Sequence, residues 1–353
     1  MRDRISKTYD SVNSRHNSGI DCLRVLLMYM VIVHHVLLYT PIGGGGGKLI
    51  VLLFLATMPA VNGFVGISGL FGLKFSRRKV LSIAGQIVYY AILNSLLSIL
   101  LCRLGVLDEW RISIGNAWYG VCYLALVFFS PLINAGIDGL ANGTAKTRTA
   151  AAVLCFVPFL VDYFSRCIGL GFTVGGFGSH TFITLLYVYL FARLWFAKVW
   201  NFNRHVLGFC YFVYLLVFLV WHLCKQESGV YRSVTQWEWY NCPLVVAGGV
   251  AFVEWFRRLQ PGIWLKKASS AIVPSVFAIY LIHSVSSVGW HFASKLVVNT
   301  VDICGNKNMV STWSLCLLTS ALIFASSLIV DCVFRRWPLS LARNMISRYR
   351  RNA

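Results

Sequence analysis

GIDCLRVLLMYMVIVHHVLLYT, residues Gly19 to Thr40, is the stretch that decides how this chain folds. An α-helix rises about 1.5 Å per residue, so about 20 mostly apolar residues cross the roughly 30 Å hydrocarbon core of a bilayer. This stretch has that length, and it carries two residues a membrane helix does not take without a reason, Arg24 and His35. A guanidinium at the centre of such a helix costs about 2.5–3.5 kcal/mol on insertion scales, so intramembrane arginines face a polar interior and mark a functional path. Eleven residues separate Arg24 from His35, close to three helical turns. Both side chains therefore share one face, roughly 16 Å apart along the axis. His34 is rotated by about 100° from His35 and cannot share that stripe.

The rest of the sequence agrees with a membrane setting. Hydrophobic residues make up 58% of the chain and charged residues only 12%, about half the charged share of a soluble domain. Apolar runs recur near 20–41, 49–73, 80–104, 118–136, 149–164, 180–197, 205–224, 241–256, 272–292 and 312–334, the fifth and eighth being short. The expected fold is all-α, a polytopic membrane helix bundle of about ten transmembrane helices. Turn chemistry marks the breaks: Pro41 with the glycines 43 to 47, the Gly-rich segment 169 to 178, and Gly305-Asn-Lys-Asn308.

The net charge of +20 invites a nucleic-acid reading, which the placement of the charges excludes. They fall in short clusters between apolar runs. With ten spans, 23 of the 32 basic residues lie on the side of the termini and 8 on the other, Arg24 being within the membrane. Basic loops mark the cytoplasmic face, so both termini are expected in the cytoplasm. Arg24 then lies toward the inner end of the first span and His35 toward the outer end. Residues 1–18 are too polar for a secretory signal, and the first span is retained. The division is a cytoplasmic N-terminal tail (1–18), a transmembrane domain (19–336) and a basic cytoplasmic C-terminal tail (337–353).

Most of the eleven cysteines fall in or beside apolar runs, where a free thiol behaves as a small hydrophobe. Cys167, Cys224, Cys242 and Cys304 group near the outer face without a spacing that implies a disulfide. No C-x-x-C pair or zinc-type His/Cys spacing occurs, and no metal is expected.

Three further features bear on chemistry. His283 follows Tyr280 in AIYLIHSV, on one helical face and at a depth similar to His35. Histidine titrates near neutral pH, which suits proton transfer, although either histidine also fits a purely packing role. The stretch GFVGISGLFG, residues 63–72, has small residues that permit close helix approach. Behind it stand Lys74, Arg77, Arg78 and Lys79, an ordinary cytoplasmic anchor that is also suited to phosphates.

Taken together, R-x10-H in the first span, Phe64-Val-Gly-Ile-Ser-Gly69 followed by Ser76-Arg-Arg78, Trp118-Tyr119 opening a span that reaches Pro131, and Ile279-Tyr-Leu-Ile-His283 resemble the integral-membrane acyltransferase-3 family. That family O-acylates bacterial surface polysaccharides and related glycans, and the resemblance covers roughly residues 20–340. It implies that His35 and Arg24 correspond to the family's essential histidine and arginine, Arg77 and Arg78 to its basic pair, and His283 to its late histidine. Lys79 and Val80 depart from the more usual continuation with arginine, and Asn116-Ala-Trp-Tyr119 stands where the family often has His-Leu-Trp-Phe.

The resemblance implies an acyl-CoA-dependent O-acyltransferase of the bacterial inner membrane, with acetyl-CoA as donor substrate, a saccharide acceptor, and no metal. His35 would be the base, Arg24 would line the donor path, and Tyr280 or a backbone amide near Ser68 would face the oxyanion. Lys74, Arg77, Arg78 and Lys79 would hold the CoA phosphates. The sequence names neither the sugar nor the oligomeric state. The alternative class is a transporter or flippase for a glycan or polar solute, which predicts inverted repeats and matched broken helices; neither is found. Thr40 stands where an H-x4-D acyltransferase would have aspartate, and no G-x-S-x-G elbow occurs.

Overall fold

The computed structural model describes residues 17–39, 47–107, 117–168, 181–197, 203–224, 240–284, 288–289, 295–296 and 309–352. The turn segments 43–46, 169–178 and 305–308, Cys304, and most of the N-terminal tail lie outside these. Every regular element among the described residues is helical: α1 (Ser18–Tyr39), α2 (Gly47–Thr57), α3 (Ala60–Phe71), α4 (Arg77–Arg103), α5 (Trp118–Asn142), α6 (Ala145–Cys167), α7 (Phe182–Phe196), α8 (His205–Cys224), α9 (Pro243–Phe256), α10 (Ile263–Ile272), α11 (Val276–His283), α12 (Met309–Asp331) and α13 (Trp337–Asn352). Among the described residues, eight segments are long and apolar enough to cross a membrane, and α7 and α9 are shorter apolar helices. The protein is an all-α helix bundle of the multi-pass membrane type.

α1 and the α2–α3 segment form its centre. About 67% and 78% of their apolar windows are buried, against 22% for α4 and α8. The outer helices turn large apolar side chains outward, among them Leu132, Leu154 and Phe209. This is the inverse of a soluble surface and suits hydrocarbon as the surrounding solvent, where helices satisfy their own backbone groups. α3 packs on α7 and α9. A Cβ on Gly69 would lie 2.5 Å from Ala192 Cβ and 3.0 Å from the Arg193 backbone nitrogen, so the α3–α7 approach requires glycine there. α3 ends at Gly72, whose φ of 71° is in the left-handed region that glycine adopts without strain.

Two boundaries differ from the sequence expectation. The fifth span, α6, is a full-length helix of 23 residues, and the short members are α7 and α9. The ninth span begins at Ile263 rather than near 272. Lys266 and Lys267 interrupt its apolar pattern, but both are exposed on the helix, where long cationic side chains reach an interface while their stems stay apolar. α12 passes through a π-helical turn, Cys332–Arg336, into α13, and that turn absorbs Pro338 where a regular helix would break.

The orientation is open to direct test. A reporter fused after residue 353 is expected to read as cytoplasmic, and one reading as exported would reverse the depths assigned to Arg24 and His35.

Candidate functional site

Helix α1 presents Arg24, Met28, Val31 and His35 along one stripe, with the 4-3-4 spacing of a single helical face. This stripe forms one wall of a cavity of about 410 Å³. α3 supplies Val61, Phe64, Ile67 and Ser68, and α4 supplies Lys79, Ser82, Ile83 and Gln86. Trp118, Tyr119 and Tyr123 enter from α5, Tyr240 from just before α9, and Val276, Phe277 and Tyr280 from α11. The walls are mostly apolar and aromatic with a few polar groups, the usual make-up of a small-molecule site.

The polar groups have defined partners. Arg24 Nη1 donates to Asp21 Oδ1 at 2.8 Å and its guanidinium lies 5.9 Å from the Phe71 ring centroid. The buried Asp21 carboxylate, one turn earlier on α1, offsets the charge and steers the guanidinium, whose side chain stays 32% exposed. Lys79 stands over the Tyr123 ring at 5.8 Å, and the Tyr123 hydroxyl meets Ser68 Oγ at 3.1 Å. The Tyr280 ring meets the ring of Tyr119, from the first turn of α5, edge-on at 5.8 Å between centroids.

His35 and His283 meet. Their rings lie 5.3 Å apart, and His35 Nδ1 is 3.2 Å from His283 Nε2. The other nitrogen of His283, Nδ1, is 2.6 Å from the Ile279 carbonyl oxygen, one turn earlier on α11. A carbonyl only accepts, so Nδ1 of His283 carries a proton. Taken as a neutral imidazole, His283 then has its lone pair at Nε2 and accepts from His35 Nδ1–H. His35 in turn carries its own lone pair on Nε2, the tautomer of a general base oriented by a partner.

His34 goes elsewhere. It stacks on Phe54 of α2 at 4.4 Å, and its Nδ1 lies 3.2 Å from Thr57 Oγ1. The Thr57 hydroxyl already donates to the Phe54 carbonyl at 2.7 Å, so His34 is the donor in that contact. The angular separation read from the sequence gives the two adjacent histidines different partners.

Of the residues singled out from sequence, the cavity brings together Arg24, His35, Tyr280 and Lys79, with His283 directly behind His35. It does not gather Lys74, Arg77 and Arg78, which are exposed on the approach to α4 and its first turn. The sequence reading passed over Asp21, Ser82, Gln86, Tyr123 and Tyr240. A signal for two of them was present: Lys79, Ser82 and Gln86 recur at helical spacing within an otherwise apolar span. Among the described residues no cluster of histidine, cysteine or carboxylate side chains would hold a metal.

These features define a class: a multi-pass membrane protein with a paired-histidine cavity enclosed between its helices. A family model described as an acyltransferase domain matches residues 17–332, and the chain belongs to that family, acyltransferase-3. No curated protein and no solved structure matches it.

Proposed function

We propose that this acyltransferase is an O-acyltransferase that moves an acyl group, acetyl in the simplest case, from cytoplasmic acyl-CoA to a hydroxyl of a cell-surface or exported polysaccharide. The bacterial inner membrane is its proposed location. The observation that carries the reading is a cavity lined by Arg24, Lys79, Tyr280 and His35, with His283 Nε2 at 3.2 Å from His35 Nδ1.

In this reading the anionic nucleotide end of the donor stays at the cytoplasmic mouth, near Lys79, Arg77, Arg78 and the N-terminus of α4, where helix amides and basic side chains favour phosphate. The pantetheine arm follows the α1 stripe past Arg24 and brings the thioester to His35. His35 Nε2 takes the proton of the acceptor hydroxyl as its oxygen attacks the thioester carbonyl. Tyr280 donates to the oxyanion of the tetrahedral intermediate. The C–S bond then breaks, and the proton held by His35 passes to the departing CoA thiolate, leaving an ester and free CoA. Holding both reactants in one cavity supplies much of the remaining acceleration.

The donor half has its own test. Lys79→Gln is expected to raise KM for acyl-CoA about three- to tenfold, with little change in kcat, and to flatten the dependence of KM on salt. Arg77→Gln and Arg78→Gln, at exposed positions, are expected to have smaller effects. Unchanged KM in all three proteins would remove the phosphates from this mouth. The acceptor half is tested by mass spectrometry of surface glycan from matched cells with and without this gene: the proposal predicts loss of an ester-linked acyl group, and identical glycans would contradict it.

A further inference from the structure

α10 and α11 belong to one crossing segment, Ile263–His283, interrupted by the 3₁₀ turn Val273–Ser275 around Pro274. Proline brings no N–H to the helix, and hydrogen bonding in the turn slips to i→i+3, with the Val276 N–H reaching the Val273 carbonyl. Carbonyls at such a break need partners from outside the helix. Two of them receive guanidinium donors from the π turn that follows α12. Arg336 Nη1 donates to the Ala271 carbonyl at 3.0 Å and to Ser275 Oγ at 3.3 Å, and Arg335 Nη2 donates to the Pro274 carbonyl at 2.9 Å.

The arginines are themselves anchored. Arg335 Nε and Nη2 fork onto both oxygens of Asp331 at 2.6 and 2.8 Å. Asp331 is fully buried and also accepts from the Tyr90 hydroxyl of α4. An arginine serving only as an interfacial anchor would extend toward water. Arg335 instead turns inward, its side chain 17% exposed. The π turn, a feature that recurs at functional sites, lets two consecutive arginines reach one carbonyl just before the break and one within it.

We propose that Asp331, Arg335 and Arg336 form a positioning brace that fixes the bend at Pro274 and so sets where α11 places Tyr280 and His283. The proposal rests on the catalytic reading of His35. Nine residues separate Pro274 from His283, about 13 Å along the axis, so a swing of about 10° at the bend displaces His283 by about 2 Å. That is enough to break the 3.2 Å contact with His35, and misplacement of about 1 Å near a reacting centre can cost about 10²-fold in rate.

The test uses the full-length protein in lipid nanodiscs. Arg335→Ala would strand the buried Asp331 carboxylate and threaten folding, so Arg335→Lys and Arg336→Ala are the informative variants. Each is expected to lower kcat about tenfold, and the pair about 10²-fold, with KM for acetyl-CoA within about threefold of the parent. The number of acetyl-CoA binding sites per protein should hold constant, and Arg336→Lys should recover part of the loss. Amide hydrogen exchange should rise across residues 276–283 and stay unchanged in α3 and α9. Unchanged kcat and exchange in the double variant would overturn the brace. So would a kcat that falls only in proportion to binding sites, since that reports lost folded protein. If the parent transferred no acyl group while the variants still raised exchange at 276–283, the brace would hold α11 as argued and the catalytic reading would be what failed.

Discussion

His35→Ala is expected to lower acyl transfer by about 10²–10⁴-fold, the usual contribution of a positioned general base, while leaving membrane insertion and acyl-CoA binding intact. His34→Ala is expected to do the opposite. His34 is buried, stacked on Phe54 and bonded to Thr57, so its truncation opens a cavity and removes a hydrogen bond to the Thr57 hydroxyl, which keeps its bond to the Phe54 carbonyl. A loss of about 2–4 kcal/mol of stability follows, with turnover per folded molecule largely retained. Steady-state kinetics and thermal unfolding of the two proteins, expressed at equal levels, separate these outcomes. The reverse pattern would overturn both the helical register argument and the role assigned to His35.

The second large effect concerns His283. Its ring bonds to His35 on one side and to the Ile279 carbonyl on the other, so it acts as an orienting partner. His283→Ala removes the acceptor for His35 Nδ1–H and frees the imidazole to rotate. The expected loss in kcat is about 10²-fold, with KM for acyl-CoA nearly unchanged, as for a group that matters chiefly in the transition state. His283→Gln places an amide oxygen near the former Nε2, and kcat within about tenfold of the parent is expected. If alanine and glutamine behaved alike, the hydrogen bond from His35 would have no part in the rate.

Much of the fold is legible in the sequence alone. The length of the apolar runs gave the ten-helix frame, because a bilayer imposes a minimum span on every crossing helix. Arg24 and His35 were legible because three helical turns align residues eleven apart, a regularity local to one element. The same arithmetic separated His34 from His35.

What was not legible is tertiary. His35 and His283 are 248 residues apart, and no periodicity links them; only the packing of α11 against α1 does. Tyr240 reaches the cavity from the segment just before α9. Asp21 lies one turn from Arg24 in the sequence, but nothing in that spacing shows that the guanidinium turns toward its carboxylate, as it does in the structure. The early start of the ninth span was hidden by Lys266 and Lys267, which read as a loop until the helix carried them exposed. The π turn after Asp331 has no sequence pattern of its own, and its role emerges from the carbonyls that Arg335 and Arg336 reach.

Transfer of label by the purified protein tests the central claim most directly. The full-length chain, reconstituted in vesicles with acetyl-CoA labelled in the acetyl group and an acceptor polysaccharide, is predicted to place label on the glycan as an alkali-labile ester. One free CoA should appear for each ester formed, and the His35→Ala protein should form almost none. Protein that binds acetyl-CoA yet leaves every glycan offered unlabelled and releases no CoA, or a His35→Ala protein that labels it at the parent rate, would contradict the account.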